Sequence, residues 1–272
     1  MQIKFADIDG LNIRYASNEW QFTENILLIS PLPESILAFD QIWNSLTTRY
    51  NLLAVDLPGF GKSKGRPDLF SARPMADFII TIIHHCSFTN VHMVGPDIGT
   101  PIALFTAAFY PGKIKSIVVS SGACIYPLLV AGVLKQIIEA PDLSAFRQLR
   151  VEDIIDGSLS DLRNFTLPEE IRTDYLESYE EGRLFEALQL LRKFPTDLQL
   201  LDVLIDSIKV PVQIIWGDDD PIARVENAYA LHKRLPKSGL EIVATGHYVW
   251  EDHADDFATI IIAWVSDGYQ AL

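Results

Sequence analysis

Three side chains in this sequence have the types and the order along the chain to do chemistry together: Asp97, Asp220 and His247. Asp97 lies in VHMVGPDIGTPIAL, residues 91–104. That stretch reads as a buried strand, a Gly-x-Asp-x-Gly turn and the start of a helix. A carboxylate rarely sits where a buried strand meets a buried helix without a partner or a task. Two tasks fit. Asp is among the best helix N-caps. It can also be a nucleophile that attacks an electrophilic carbon and forms an ester. The pentapeptide alone fits both.

The turn favours neither bulk nor ordinary backbone. Gly95 and Gly99 clear side chains from its flanks. The apex residue of such a turn adopts positive φ, which Asp tolerates better than most residues. Pro101 falls in the first helical turn, where a missing N–H costs little. The helix dipole favours an ionised carboxylate at position 97. This is the G-x-S-x-G nucleophile elbow with Asp in place of Ser.

Further along, GDDDP (217–221) follows the apolar run VPVQIIW. Asp220 is the preferred orienting acid there, and Asp219 the second choice. His247 follows the run GLEIVA in a Thr-Gly-His turn, 27 residues after Asp220. An imidazole held by an acid can take a proton from water as general base. The remaining histidines read more plainly. His84 and His85 end a helix, His92 is inside a strand, His232 is on a surface helix, and His253 is solvated in an acidic segment. None has metal-ligand spacing with nearby acids, so no metal is expected.

The elements that must position these groups alternate. Residues 3–17 read as an antiparallel hairpin turning at Asp9-Gly10. ILLIS (26–30), NLLAVD (51–56), NVHMVG (90–95), KSIVVSS (115–121), VPVQIIWG (210–217) and GLEIVA (239–244) read as buried strands. Helical patterns lie near 36–48, 72–87, 98–110, 222–235 and 250–266. The expected fold is α/β, a mostly parallel, doubly wound sheet. Its alternation breaks over residues 124–208, where a helical lid is expected, with 172–194 as its longest helix. The core is then 1–123 and 209–272.

Bulk composition excludes several classes. A net charge of −14 argues against nucleic acid and anionic membrane as partners. Cys86 and Cys124 are too few for a disulfide framework or zinc cluster. The N-terminus has no basic-then-apolar leader pattern, and no apolar run reaches a membrane span. A soluble, cytoplasmic protein acting on a small apolar molecule is expected; the oligomeric state is not legible. DLPGFGKS (56–63) ends like a phosphate-binding loop, but Asp56 stands where such a loop needs glycine.

With DLPGFGKS, GPDIG, GDDDP and a late Gly-His in one chain, the sequence resembles the α/β-hydrolase superfamily over nearly its whole length. Asp at the elbow resembles the epoxide hydrolase and haloalkane dehalogenase branches. The resemblance implies an oxyanion hole from the backbone N–H groups of Leu32 and Ile98. It implies no cofactor. It also implies two lid tyrosines that activate the substrate oxygen. Tyr175 and Tyr179, four apart on one helix, are candidates, with Tyr126 a further one. The alternative for the pair is packing the lid onto the core. Three positions depart from the pattern. Ser30-Pro31 replaces His-Gly before Leu32-Pro33. Pro96 replaces the His before the nucleophile. Ile98 occupies the position of a halide-binding Trp or of the Arg of fluoroacetate dehalogenases. The implied activity is therefore epoxide hydrolysis through an ester on Asp97. Dehalogenation, a non-enzymatic ligand-binding role and a lyase using Asp97 as acid or base are the alternatives.

Overall fold

The computed structural model describes residues 1–266 and 268–271. Eight strands form one sheet: β1 (Ile3–Ile8), β2 (Leu11–Ser17), β3 (Asn25–Ile29), β4 (Asn51–Val55), β5 (Val91–Pro96), β6 (Ile114–Ser120), β7 (Val212–Gly217) and β8 (Ser238–Val243). Their spatial order is β1-β2-β4-β3-β5-β6-β7-β8. β2 pairs antiparallel with β1 and with β4, and every other pairing is parallel. The fold is the α/β-hydrolase fold. Every residue of β3, β4, β5 and β7 is buried, which explains why each reads as an unbroken apolar run. β8 is only half-buried.

Helices Asp40–Thr47 and Ala254–Ser266 pack together, as do Ala72–His85 and Gly99–Phe109. Two expected helices differ from the structure. The pattern at 172–194 is two helices, Glu169–Tyr179 and Arg183–Leu191. Glu181 and Gly182 between them have φ of 53° and 85°, a left-handed conformation no right-handed helix can contain. The pattern at 250–266 breaks at His253 into Val249–Asp252 and Ala254–Ser266. Among the described residues, no helix is long and apolar enough to cross a membrane.

Between β6 and β7 run five α-helices: Gly132–Glu139, Val151–Leu159, Glu169–Tyr179, Arg183–Leu191 and Phe194–Asp202. A buried ion cluster ties this insert to the sheet. Arg14 of β2 makes two parallel bonds, 2.9 and 2.8 Å, to the Asp174 carboxylate on Glu169–Tyr179. The Ser35 hydroxyl donates to Asp174 at 2.7 Å, and Lys62 lies 3.0 Å from it. Asp56 accepts from the backbone N–H groups of Ile36 and Lys62 and lies 3.4 Å from Arg14. Asp56 thus holds the 56–63 loop from inside. A Cβ on Gly61 would fall 2.1 Å from its carboxylate. Lys62 pairs with Glu177 and Asp174 rather than facing an open anion cradle.

Candidate active site

Parallel pairing puts the carboxyl ends of β3, β5, β7 and β8 along one edge of the sheet, where open α/β folds place ligands. Leu32, Asp97, Asp220 and His247 lie just beyond those four ends. Asp97 sits at the apex of the turn after β5 with φ of 49°. Its N–H donates to the Ser120 carbonyl at 2.8 Å. A Cβ on Gly95 would lie 2.5 Å from the Gly99 carbonyl, so glycine is required there. Gly122 is equally constrained, since its Cβ would fall 2.2 Å from the Asp97 carbonyl. Gly99 is less constrained, because its Cβ would meet Ile29 at an ordinary 3.4 Å.

Asp97 is not the N-cap of the following helix, whose cap position is Ile98 with no side-chain capping bond. Instead, Asp97 Oδ2 accepts the Leu32 N–H at 3.0 Å, and Oδ1 lies 3.7 Å from His247 Nε2. His247 Nδ1 is 2.9 Å from Asp220 Oδ2. The other Asp220 oxygen accepts the N–H groups of Ile222 and Ala223, each at 2.8 Å, which fixes the carboxylate plane. Asp219 instead faces outward and pairs with Arg163 at 2.8 Å. The acid and histidine loops touch through backbone bonds, Asp218 N–H to Val243 O and Asp219 N–H to Thr245 O. Gly217 permits this, for a Cβ there would lie 1.9 Å from the Gly246 carbonyl.

Burial works against a charged imidazole at His247, but the adjoining Asp220 and Asp97 carboxylates outweigh it and raise its pKa to about 10. The resting pair is thus an imidazolium beside Asp97. Behind it lie two buried carboxyl groups. Glu34 accepts from the Trp250 indole at 3.0 Å, and Glu251 from the Tyr175 hydroxyl at 2.8 Å. The second oxygen of each has no protein partner. Burial, with repulsion from Glu251 and Asp97, pushes Glu34 well above the usual carboxyl range. Burial likewise raises Glu251 to about 8. Glu251 therefore favours its neutral form at neutral pH.

A cavity of about 70 Å³ opens onto Asp97 and His247. Its wall is mainly aliphatic, with Leu134, Ile154, Leu188 and Ile222 among the contributors and Ser158 and Tyr248 as polar exceptions. Tyr175 and Tyr179 do not line it. Of the two placements open to this pair, pocket or packing, the structure has packing: both are fully buried between insert and sheet, Tyr175 on Glu251 and Tyr179 donating to the Glu34 carbonyl at 2.9 Å. Packing the insert onto the core outcompeted exposure to the pocket. Tyr126 is surface-exposed and likewise outside the lining. Ile98 is buried directly after the elbow.

Sequence reasoning passed over Tyr248, Glu34 and Ser158. Tyr248 was findable, as the neighbour of His247; its ring meets the imidazole edge-on at 4.8 Å. Glu34 follows Pro33 directly, and a carboxylate in so apolar a stretch is a signal of its own. Nothing in the sequence marks Ser158. His84 and His85 are exposed, as their position implies. His92 is buried between Ser116 and Glu24, and desolvation lowers its pKa to about 4. His253 is bonded to Asp256 and Asn164 rather than only to water. No cluster of potential metal ligands occurs among the described residues.

An elbow, an acid and a histidine at the carboxyl edge of this sheet define a hydrolase of the α/β class. A family described as alpha/beta hydrolase fold matches residues 24–254, and the chain belongs to it. It is 26% identical over 261 residues to the uncharacterized hydrolase YugF of Bacillus subtilis strain 168, covering 93% of this chain and 94% of that one. It is 24% identical over 232 residues to a 2-hydroxy-6-oxononadienedioate/2-hydroxy-6-oxononatrienedioate hydrolase of Burkholderia vietnamiensis, covering 79% and 76%. The fold of an epoxide hydrolase from Vigna radiata superposes with a TM-score of 0.80 at 18% identity, covering 97% of each chain.

Proposed function

We propose that the protein hydrolyses small, largely apolar epoxides through an ester formed on Asp97. The observation that carries this is the pairing of Asp97 with both the Leu32 N–H and His247 Nε2 on the floor of an aliphatic cavity. In this reading residues 124–208 are the lid over a core of 1–123 and 209–272. An Asp97 oxygen attacks the less hindered ring carbon. The ring C–O bond breaks, and its electrons go to the ring oxygen. Tyr248 is the one phenol lining the cavity among the described residues, and burial holds its pKa well above the usual value. It keeps its proton at neutral pH and donates it to that oxygen. The His247 imidazolium restores the phenol and becomes neutral.

Neutral His247, oriented by Asp220, then takes a proton from water. That water attacks the carbonyl carbon of the Asp97 ester. The N–H groups of Leu32 and Ile98 hold the resulting oxyanion, each such donor contributing about 3 kcal/mol. Collapse releases a diol, regenerates the Asp97 carboxylate with one oxygen from water, and leaves His247 protonated again. Residue type supports alkyl rather than acyl substrates. A carboxylate attacking an acyl carbon would give an anhydride, whereas its attack on a strained ether carbon relieves ring strain.

Single turnover in oxygen-18 water, with enzyme in excess over a panel of short-chain epoxides, tests the proposal. Label is expected in the Asp97 carboxylate. Diol formed without label there refutes the ester. Halide release from an alkyl halide panel with no epoxide turnover would make the protein a dehalogenase. Tight binding with no turnover of either would make it a ligand-binding protein.

A further inference from the structure

The insert does more than cover the cavity. Its segment 161–164 is bonded to the loop that carries His247. Ser158, just before it, lines the cavity together with Tyr248. Asp161 Oδ2 accepts the His247 backbone N–H at 2.9 Å. The backbone N–H groups of Arg163 and Asn164 both donate to Asp252, the former at 2.7 Å. The far oxygen of Asp252 accepts the Thr245 hydroxyl at 2.6 Å, closing the loop on itself. Arg163 reaches the other catalytic loop, pairing with Asp219 next to Asp220. One short segment therefore grips both the acid loop and the histidine loop.

Asp161 is the centre of that grip. A Cβ on Gly246 would lie 1.9 Å from Asp161 Oδ2, and the three nearest atoms to it all belong to the Asp161 carboxylate. The carboxylate is thus seated in the space a side chain at 246 would fill. A loop so short has no other anchor for the N–H of its histidine. Moving that N–H moves the imidazole, which must reach Asp220 on one side and Asp97 on the other.

We propose that Asp161 is a positioning residue for His247, so that the insert is part of the catalytic frame and cannot lift at this end without disarming the imidazole. The role is that of a hydrogen-bond acceptor and not of a charge. The proposal needs His247 as a working imidazole but is independent of the substrate, and its test uses no substrate.

The test is NMR of the ring-labelled histidines in the full chain. Asp97, Asp220 and Glu34, the groups that face the imidazole, are left unchanged. Asp161→Ala is expected to lower the His247 pKa by about one unit, because a displaced imidazolium loses part of its interaction with Asp220 and Asp97. It is also expected to hasten exchange of the Nδ1 proton at least tenfold. Asp161→Asn, which retains an oxygen acceptor, is expected to keep both near wild type. Gly246→Ala is expected to reproduce the Asp161→Ala result by displacing the carboxylate. Added to Asp161→Ala, it should have almost no further effect, because its methyl then enters vacated space. An unchanged His247 titration and exchange rate in folded Asp161→Ala would overturn the proposal. Full additivity of the two substitutions would do the same. Should Asp161→Ala not fold, Gly246→Ala against wild type carries the test alone, with an unmoved imidazole as the refuting result. Loss of epoxide turnover in the wild type would refute the proposed function and leave this inference standing.

Discussion

Replacing Asp97 by Asn should change the proton affinity of His247 in a way that rehearses the catalytic cycle. The substitution removes one negative charge 3.7 Å from Nε2 and leaves Asp220 in place. Two unit charges at that separation interact by about 4 kcal/mol at an effective dielectric constant of about 20. That corresponds to about 3 pKa units. The Asp97 side chain is 14% exposed, so solvent trims the interaction to about 2–3 units. His247 should therefore fall from about 10 to roughly 7–8. Esterification neutralises Asp97 in the same manner, so the same fall readies the imidazole to accept a proton from water near neutral pH. NMR titration of ring-labelled histidine in wild type and Asp97→Asn reads it directly, with Asp97→Ala as a second neutral variant. A wild-type His247 titrating at the ordinary histidine value would refute the reasoning. So would one that fails to move in either variant, since Asp97 would then not be coupled to the base.

Three other outcomes follow from the same geometry. Tyr248→Phe should slow ester formation by at least about 100-fold, as loss of a general acid does. Tyr175→Phe should leave that step nearly unchanged, and rapid-quench detection of the ester distinguishes them. Asp174→Ala strands the buried Arg14 with only the 3.4 Å contact to Asp56, and should cost about 3 kcal/mol in urea unfolding. Arg14→Met with Asp174→Leu should recover only part of that loss, because it removes the stranded guanidinium but leaves the buried Asp56 carboxyl without its cation. Stability should fall as pH rises from about 4.5 to about 8, since folded Glu251 keeps a proton that the unfolded chain has released. The raised His247 extends this fall from about 6.5 to about 10, again because the folded state binds the extra proton. Glu251→Gln should flatten the lower part of that curve, as measured by urea midpoints at about pH 5, 6.5 and 8.

The inner strands β3, β4, β5 and β7 were legible because they are buried on both faces and so read as apolar runs whatever their neighbours, and the β1–β2 hairpin because it alternates. Asp97, Asp220 and His247 were legible because each directly follows such a run, and the parallel sheet delivers every strand end to one edge. The breaks inside the insert were less visible. Glu181-Gly182 stops a helix through its backbone conformation, in the middle of an otherwise continuous pattern. Tyr175 and Tyr179 show the limit most clearly. Four-residue spacing puts both on one helix face, but nothing in it says whether that face meets a cavity or the sheet.

Sequence by itself thus determined the order of elements, the identity of the elbow acid and the order of its partners, since these depend on local pattern and on strand ends. Tertiary structure alone decided which tyrosine meets the cavity, that two carboxyl groups are buried behind the histidine, and that Asp161 holds the histidine loop. Those facts are contacts between segments about 75 to 220 residues apart. Such contacts arise from how helices dock on the sheet, and docking is set by the summed packing of many side chains rather than by any local motif.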